Sequence, residues 1–214
     1  MPALTSPNAK HLLARTLFGF SKEQFQQAMG YGSLEDLVDR ALLADAALPA
    51  PPNAWVNTVP AQSQQDSGDA GTWYRELTYW WYNRMFSEGL NFREKMVLFW
   101  HNHFSCERDK VNYPQYMYQQ NQLFRKFAFG NFKQMVKEVS IDPTMLIYLD
   151  GNNSRGTGPN ENYAREVMEL FTLGIGNYTE NDIKQAAKVL SGWQVKGLTS
   201  VFDSTRWYKE TSLT

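Results

Sequence analysis

The sequence predicts an all-α fold: an irregular multi-helix bundle with one Pro-rich excursion and a short irregular or hairpin segment near its C-terminal end. Three observations carry that expectation. Apolar residues recur at helical spacing along most of the 214 residues. Short polar residues stand where helices would begin, as in Ser21 with Gln24, Ser33 with Asp36, Asn91 with Glu94 and Thr179 with Asp182. Only Gln194 to Phe202 has strand character. With 43% hydrophobic and 14% aromatic residues, the chain can build a sizeable core without staples.

In order, helices are expected near 8–18, 21–29, 33–43, 71–87, 91–104, 114–129, 131–140, 143–149, 160–173 and 179–191. The first three make an N-terminal helical unit, 1–44. From 45 to 70 the composition turns to Pro, Ala, Gln and Ser, and Pro49, Pro51, Pro52 and Pro60 prevent a regular helix, so a linker or surface excursion is expected. Residues 71–193 form the main helical domain and 194–214 an irregular tail. The helix of 71–87 is too aromatic to be exposed. Trp73, Leu77, Trp80, Trp81 and Phe86 can supply core, and Tyr74, Tyr82 and Arg84 could line a groove that stacks a carbohydrate or an aromatic ligand, with core packing the favoured reading of the helix. The tyrosine-rich run Tyr113 to Gln122 is less hydrophobic and is assigned to a wet surface or a partner contact.

Composition also narrows the partners. There are 21 basic and 22 acidic residues and no dense Lys/Arg stripe, so nucleic acid is not expected. The single cysteine, Cys106, leaves no internal disulfide and no multi-cysteine zinc site. Met1 to Asn8 has no basic region followed by an apolar segment, so no signal peptide is expected in this chain, and no window approaches a membrane span.

Chemistry concentrates in two helices and a loop. On the wheel of residues 91–104, Phe92, Met96, Phe99, Trp100 and His103 share one arc, which points His103 at the core and places His101 opposite, near Glu94. Histidines two apart on a helix cannot chelate one metal. His103 is therefore either a satisfied core imidazole or a general acid/base facing a polar cavity. On the helix from Asn160, Arg165 lies four residues from both Glu161 and Glu169, which a solvated salt-bridge ladder explains. Asn162, Glu166 and Glu169 form a second line that, if buried, could work with His103 as catalytic candidates, with a divalent cation as an optional cofactor. The loop from Asp150 places Asp150, Asn152, Ser154 and Glu161 at positions 1, 3, 5 and 12 of a calcium-loop pattern, although Arg155 stands where that turn wants glycine. Its glycines, Gly151, Gly156 and Gly158, admit an anion cradle at the next helix as a second reading, and a plain turn capped by Asn160 as a third.

The ordered motifs Arg93-Glu94-Lys95-Met96, Phe99-Trp100-His101-Asn102-His103-Phe104, Gly130-Asn131-Phe132, Asp142-Pro143-Thr144-Met145-Leu146, Pro159 through Gly174, Gly176-Asn177-Tyr178-Thr179 and Ser191-Gly192-Trp193 resemble the bacterial domain-of-unknown-function 1800 family over residues 8–195. The resemblance implies a largely helical protein, often exported, with no established activity. It also implies a longer chain than this one, so a truncated or fragmentary member is expected. Two functions follow as expectations: a scaffold or binding part of a larger exported protein, with another secreted protein as a partner, or an enzyme fragment using a His/Glu pocket on an extracytoplasmic substrate.

Overall fold

The computed structural model describes residues 3–209. Within them lie twelve α-helices and one two-stranded antiparallel sheet, so the fold is mostly helical as the periodicity predicts. Residues 1–2 of the expected N-terminal unit and 210–214 of the expected tail fall outside the described residues.

Helices α1 (Ser6–Thr16), α2 (Lys22–Met29) and α3 (Leu34–Leu37, continuing as a π turn over Val38–Leu42) close on a small core of Leu13, Ala28, Leu37 and Leu42. The Ser21–Gln24 capping box and the Ser33 cap form as their spacing predicts. Leu90 joins this core, and the Phe92 N–H donates to the Leu42 carbonyl at 2.9 Å.

The Pro-rich stretch is more ordered than its composition suggests. Prolines exclude a long helix but leave room for a 3-10 turn at Ala54–Asn57 and for α4 (Gln62–Asp66) after Pro60. It is pinned along its length. Trp55 stacks on Trp73 with centroids 5.6 Å apart and donates Nε1–H to Glu76 at 2.7 Å. Trp80 donates to the Ala50 carbonyl at 2.8 Å, and the Gln115 amide reaches Thr58 at 3.1 Å and Gln64 at 3.0 Å.

The main body comprises α5 (Asp69–Ser87), α6 (Arg93–His103), α7 (Arg108–Val111), α8 (Pro114–Lys126), α9 (Phe132–Val139), α10 (Pro143–Tyr148), α11 (Glu161–Glu169) and α12 (Glu180–Leu190). Val97, Phe104, Phe124, Met145, Leu146 and Tyr163 form its centre, and Ala164, Ile183 and Ala187 join α11 to α12. Strands β1 (Trp193–Lys196) and β2 (Thr199–Phe202) pair through a tight turn in which Gly197 has φ +60°.

Two side-chain assignments are corrected. The buried stripe of α5 runs through Ala70, Tyr74 and Leu77, which leaves Phe86 off the stripe and 78% exposed, while Tyr74 goes inside. Helix α8 is no wet surface: Gln115, Tyr116, Gln120 and Asn121 are buried, because each finds a polar partner, as in the Tyr116 O–H donating to the Gly197 carbonyl at 2.8 Å.

Close approach explains two loop glycines. A Cβ on Gly151 would stand 2.9 Å from the Tyr163 ring, and one on Gly156 would stand 2.5 Å from the Trp207 carbonyl oxygen. Gly151→Ala is expected to lose about 1 to 3 kcal/mol through overpacking, measured by urea titration. An unchanged midpoint would show that Tyr163 moves aside freely.

Candidate functional site

A cavity of about 430 Å³ opens between α5, α6 and α8, beside α7. Its position follows from three helical stripes. Tyr74, Leu77 and Trp81 descend one side of α5; Leu98 and His101 come from α6; Met117 and Asn121 come from α8. Apolar walls frame a small set of polar groups, the usual build of a small-molecule site.

Beneath it lies a dry ion pair. Glu94 and Arg125 have side chains only 1% exposed, and Arg125 donates Nε–H to one Glu94 oxygen at 2.6 Å and Nη2–H to the other at 2.8 Å. Trp81 donates its indole N–H to Glu94 at 3.1 Å, Asn121 accepts from Arg125 Nη1 at 2.8 Å, and the guanidinium lies 5.3 Å from the Trp80 ring centre. All the partners needed to hold two charges without water are present. The expected Asn91–Glu94 cap is thereby overturned: Asn91 accepts from the Arg93 N–H, and the Glu94 carboxylate turns inward.

This pair also turns α6 away from the expected orientation, although Trp100 and His103 still pack on the core. The arc richest in apolar residues is not the most buried one: Phe99 is 53% exposed, whereas Glu94 and Val97 are inside. A buried bidentate arginine outweighs the gain from covering one more ring. His101, placed near the surface by the wheel, is partly buried with its ring edge-on to Trp81 at 4.9 Å, and burial lowers its pKa.

Two further polar side chains of the cavity, Cys106 and Tyr74, have raised pKa values. Burial pushes the Cys106 thiol up to about 12, and its hydrogen bonds run to the Phe104 carbonyl and from Gln120. Burial thus disfavours the thiolate, the reactive form of the side chain. The Tyr74 hydroxyl is buried without a hydrogen-bond partner, and desolvation holds its phenol far above the usual range. Arg108 lies over the Tyr74 ring at 4.6 Å.

Behind Cys106, Gln120 also donates to Asp142 at 3.2 Å, and Asp142 caps α10 by accepting from the Met145 N–H at 3.3 Å. Desolvation dominates there and raises Asp142 to about 7, against the opposing effect of those hydrogen bonds.

The residues singled out by sequence lie elsewhere. His103 donates Nε2–H to the Phe171 carbonyl at 2.8 Å, among the rings of Phe99, Trp100, Phe104, Phe132 and Phe171. Glu169 accepts from the Tyr178 hydroxyl, Glu166 is half-buried, and Asn162 is exposed. Among the described residues no hydrogen bond links His103 to Asn162, Glu166 or Glu169. Arg165 does not pair along its own helix; both its Nη groups bind Glu180 of α12, at 2.8 and 2.7 Å. In the loop, Asp150 pairs with Lys110 at 2.9 Å, Ser154 accepts from the Asn160 N–H at 3.0 Å, the Asn152 carbonyl accepts from Arg206, and Glu161 is exposed. Among the described residues no three of His, Cys, Asp and Glu gather where a metal could be held. No helix among them is long and apolar enough to cross a membrane.

Sequence reasoning offered Tyr74, Tyr82 and Arg84 for a ligand groove only as the alternative to core packing; Tyr74 and Tyr82 line the cavity, and Arg84 pairs with Glu88. It missed Glu94, Arg125, His101 and Arg108. The available signal was a lone acid on the stripe that carries Val97, facing a helix whose only basic residues are Arg125 and Lys126.

No curated protein and no solved structure matches the chain. The family model described as protein of unknown function (DUF1800) matches residues 11–212, a span that contains every motif from Arg93 to Trp193. With nearly the whole length matched, this largely helical chain belongs to the DUF1800 family.

Proposed function

We propose that the chain is the binding part of a larger, exported bacterial protein, and that the cavity between α5, α6 and α8 is where it binds. One observation carries this reading: aromatic side chains of α5 and apolar side chains of α5, α6 and α8 frame a space whose lining holds few polar groups and no Asp or Glu. A lining of that kind holds a ligand chiefly by contact. The outer side of α5, where Tyr79 is 66% and Phe86 78% exposed, continues from the cavity rim at Tyr82 and is the surface offered to a second secreted protein.

The enzyme alternative would use His103 with Asn162, Glu166 and Glu169 on an extracytoplasmic substrate. The hydrogen bonds of His103 and Glu169 to groups of the chain itself count against it. A fragment screen followed by amide and indole proton–nitrogen correlation spectra tests the binding reading. Shifts are expected at the Trp81 indole and the Thr78 amide. If no fragment perturbs them, the cavity is not a binding site.

A further inference from the structure

We propose that the cavity takes an uncharged aromatic ligand that carries a carbonyl group, oriented by a hydrogen bond from the Asn121 amide to that carbonyl oxygen. This rests on reading the cavity as the binding site. Asn121 lines it and is 5% exposed. Its Oδ1 accepts from Arg125 Nη1–H at 2.8 Å, and because only the oxygen of an amide can accept from a guanidinium, the NH2 end is turned the other way. That Nδ2 donates to no group among the described residues, yet it is not one of the buried polar atoms sealed away without a partner. The little surface that Asn121 keeps therefore includes a free donor, held in place by the buried ion pair behind it.

The surroundings of that donor set the charge of the ligand. Glu94 and Arg125 are spent on each other, and none of the lining residues is Asp or Glu. Burial favours the uncharged form of His101, whose ring stands edge-on to Trp81 in the same wall. A charged group brought against Asn121 would lose water and meet no opposite charge, whereas a carbonyl oxygen gives up less water and satisfies the amide. Arg108, the one Lys or Arg of the lining, is exposed and keeps its own water. The shape of the ligand follows from the remaining walls. Trp81, Tyr82 and His101 present rings, and Met85 and Met117 adapt to what lies between them, which suits a flat body recognised by contact.

The test is a titration of the whole chain with acetophenone, with ethylbenzene, which lacks the oxygen, and with benzoate, followed by backbone and side-chain proton–nitrogen correlation spectra. Acetophenone is expected to bind about tenfold tighter than either of the others and to shift the Asn121 side-chain amide, which ethylbenzene leaves in place. Asn121→Asp keeps an oxygen for Arg125 and removes the donor, so it is expected to bring acetophenone down to the affinity of ethylbenzene. The comparison of the three compounds on the unaltered chain decides the matter even if that variant does not fold. Equal binding of acetophenone and ethylbenzene, a tighter benzoate, or a preference that survives Asn121→Asp overturns the carbonyl assignment and leaves the binding site standing. If none of the three binds while the fragment screen perturbs Trp81, the ligand class alone is wrong; if the screen is also blank, both readings fall.

Discussion

Replacing Glu94 with leucine is expected to cost about 3 to 5 kcal/mol of stability, seen as a lower urea midpoint at unchanged slope. The reason is what remains. Arg125 would keep its charge in a site where its side chain is 1% exposed, and the Trp81 indole N–H would lose its acceptor as well. An unpaired buried charge costs far more than the pair itself contributes, so removing both partners should be milder than removing one. The double variant Glu94→Leu with Arg125→Met is therefore expected to recover most of the loss, with a coupling energy well above the few tenths expected of independent sites. A single-variant loss below about 1 kcal/mol, the range of solvated pairs, would show that water reaches the ion pair. The consequence extends to the cavity: Asn121, which lines it, is oriented by Arg125, so ligand affinity should fall with Glu94→Leu even where the fold survives.

Stability is also expected to decline as pH rises from about 4 to about 7, and Asp142→Asn should flatten that decline. In the unfolded chain the carboxyl loses its proton near pH 4; in the fold, burial raises its pKa to about 7. Between those values the folded state holds more protons than the unfolded state, so its advantage is complete below the window, shrinks across it and is constant above it. The difference corresponds to up to about 4 kcal/mol. Asparagine keeps the cap by accepting from the Met145 N–H, and its amide could donate to Gln120 Oε1, which is buried without a partner. Urea titrations at pH 5 and pH 8 check this. A wild-type protein equally stable at both would mean that Asp142 ionises inside the fold at no cost.

Helix existence was legible because it rests on local physics. The caps at Ser21, Ser33, Asn160 and Thr179 each join groups within three residues, and each forms as read. Orientation was not legible in α6, because the decisive interaction spans 31 positions and pits a polar pair against an apolar arc. The same limit applies to α8, whose glutamines look like surface until Thr58, Gln64 and Asp142 arrive from distant parts of the chain. Two aromatic members of the candidate cavity, Tyr74 and Tyr82, were visible from the unusual density of rings on α5. Its cation was hidden, since Arg108 sits on a four-residue helix that no periodicity announces.

The bonds that Ala50, Trp55, Thr58 and Gln64 make with α5 and α8 turn a stretch with the composition of a tether into a strap. Near its start, Arg93 of α6 also holds Asp45 and the Ala46 carbonyl. The first three helices are consequently fastened at both ends of the connection and cannot swing as a separate lobe. A protease that nicked the backbone within this strap would leave two fragments that travel together through a sizing column until denaturant parts them.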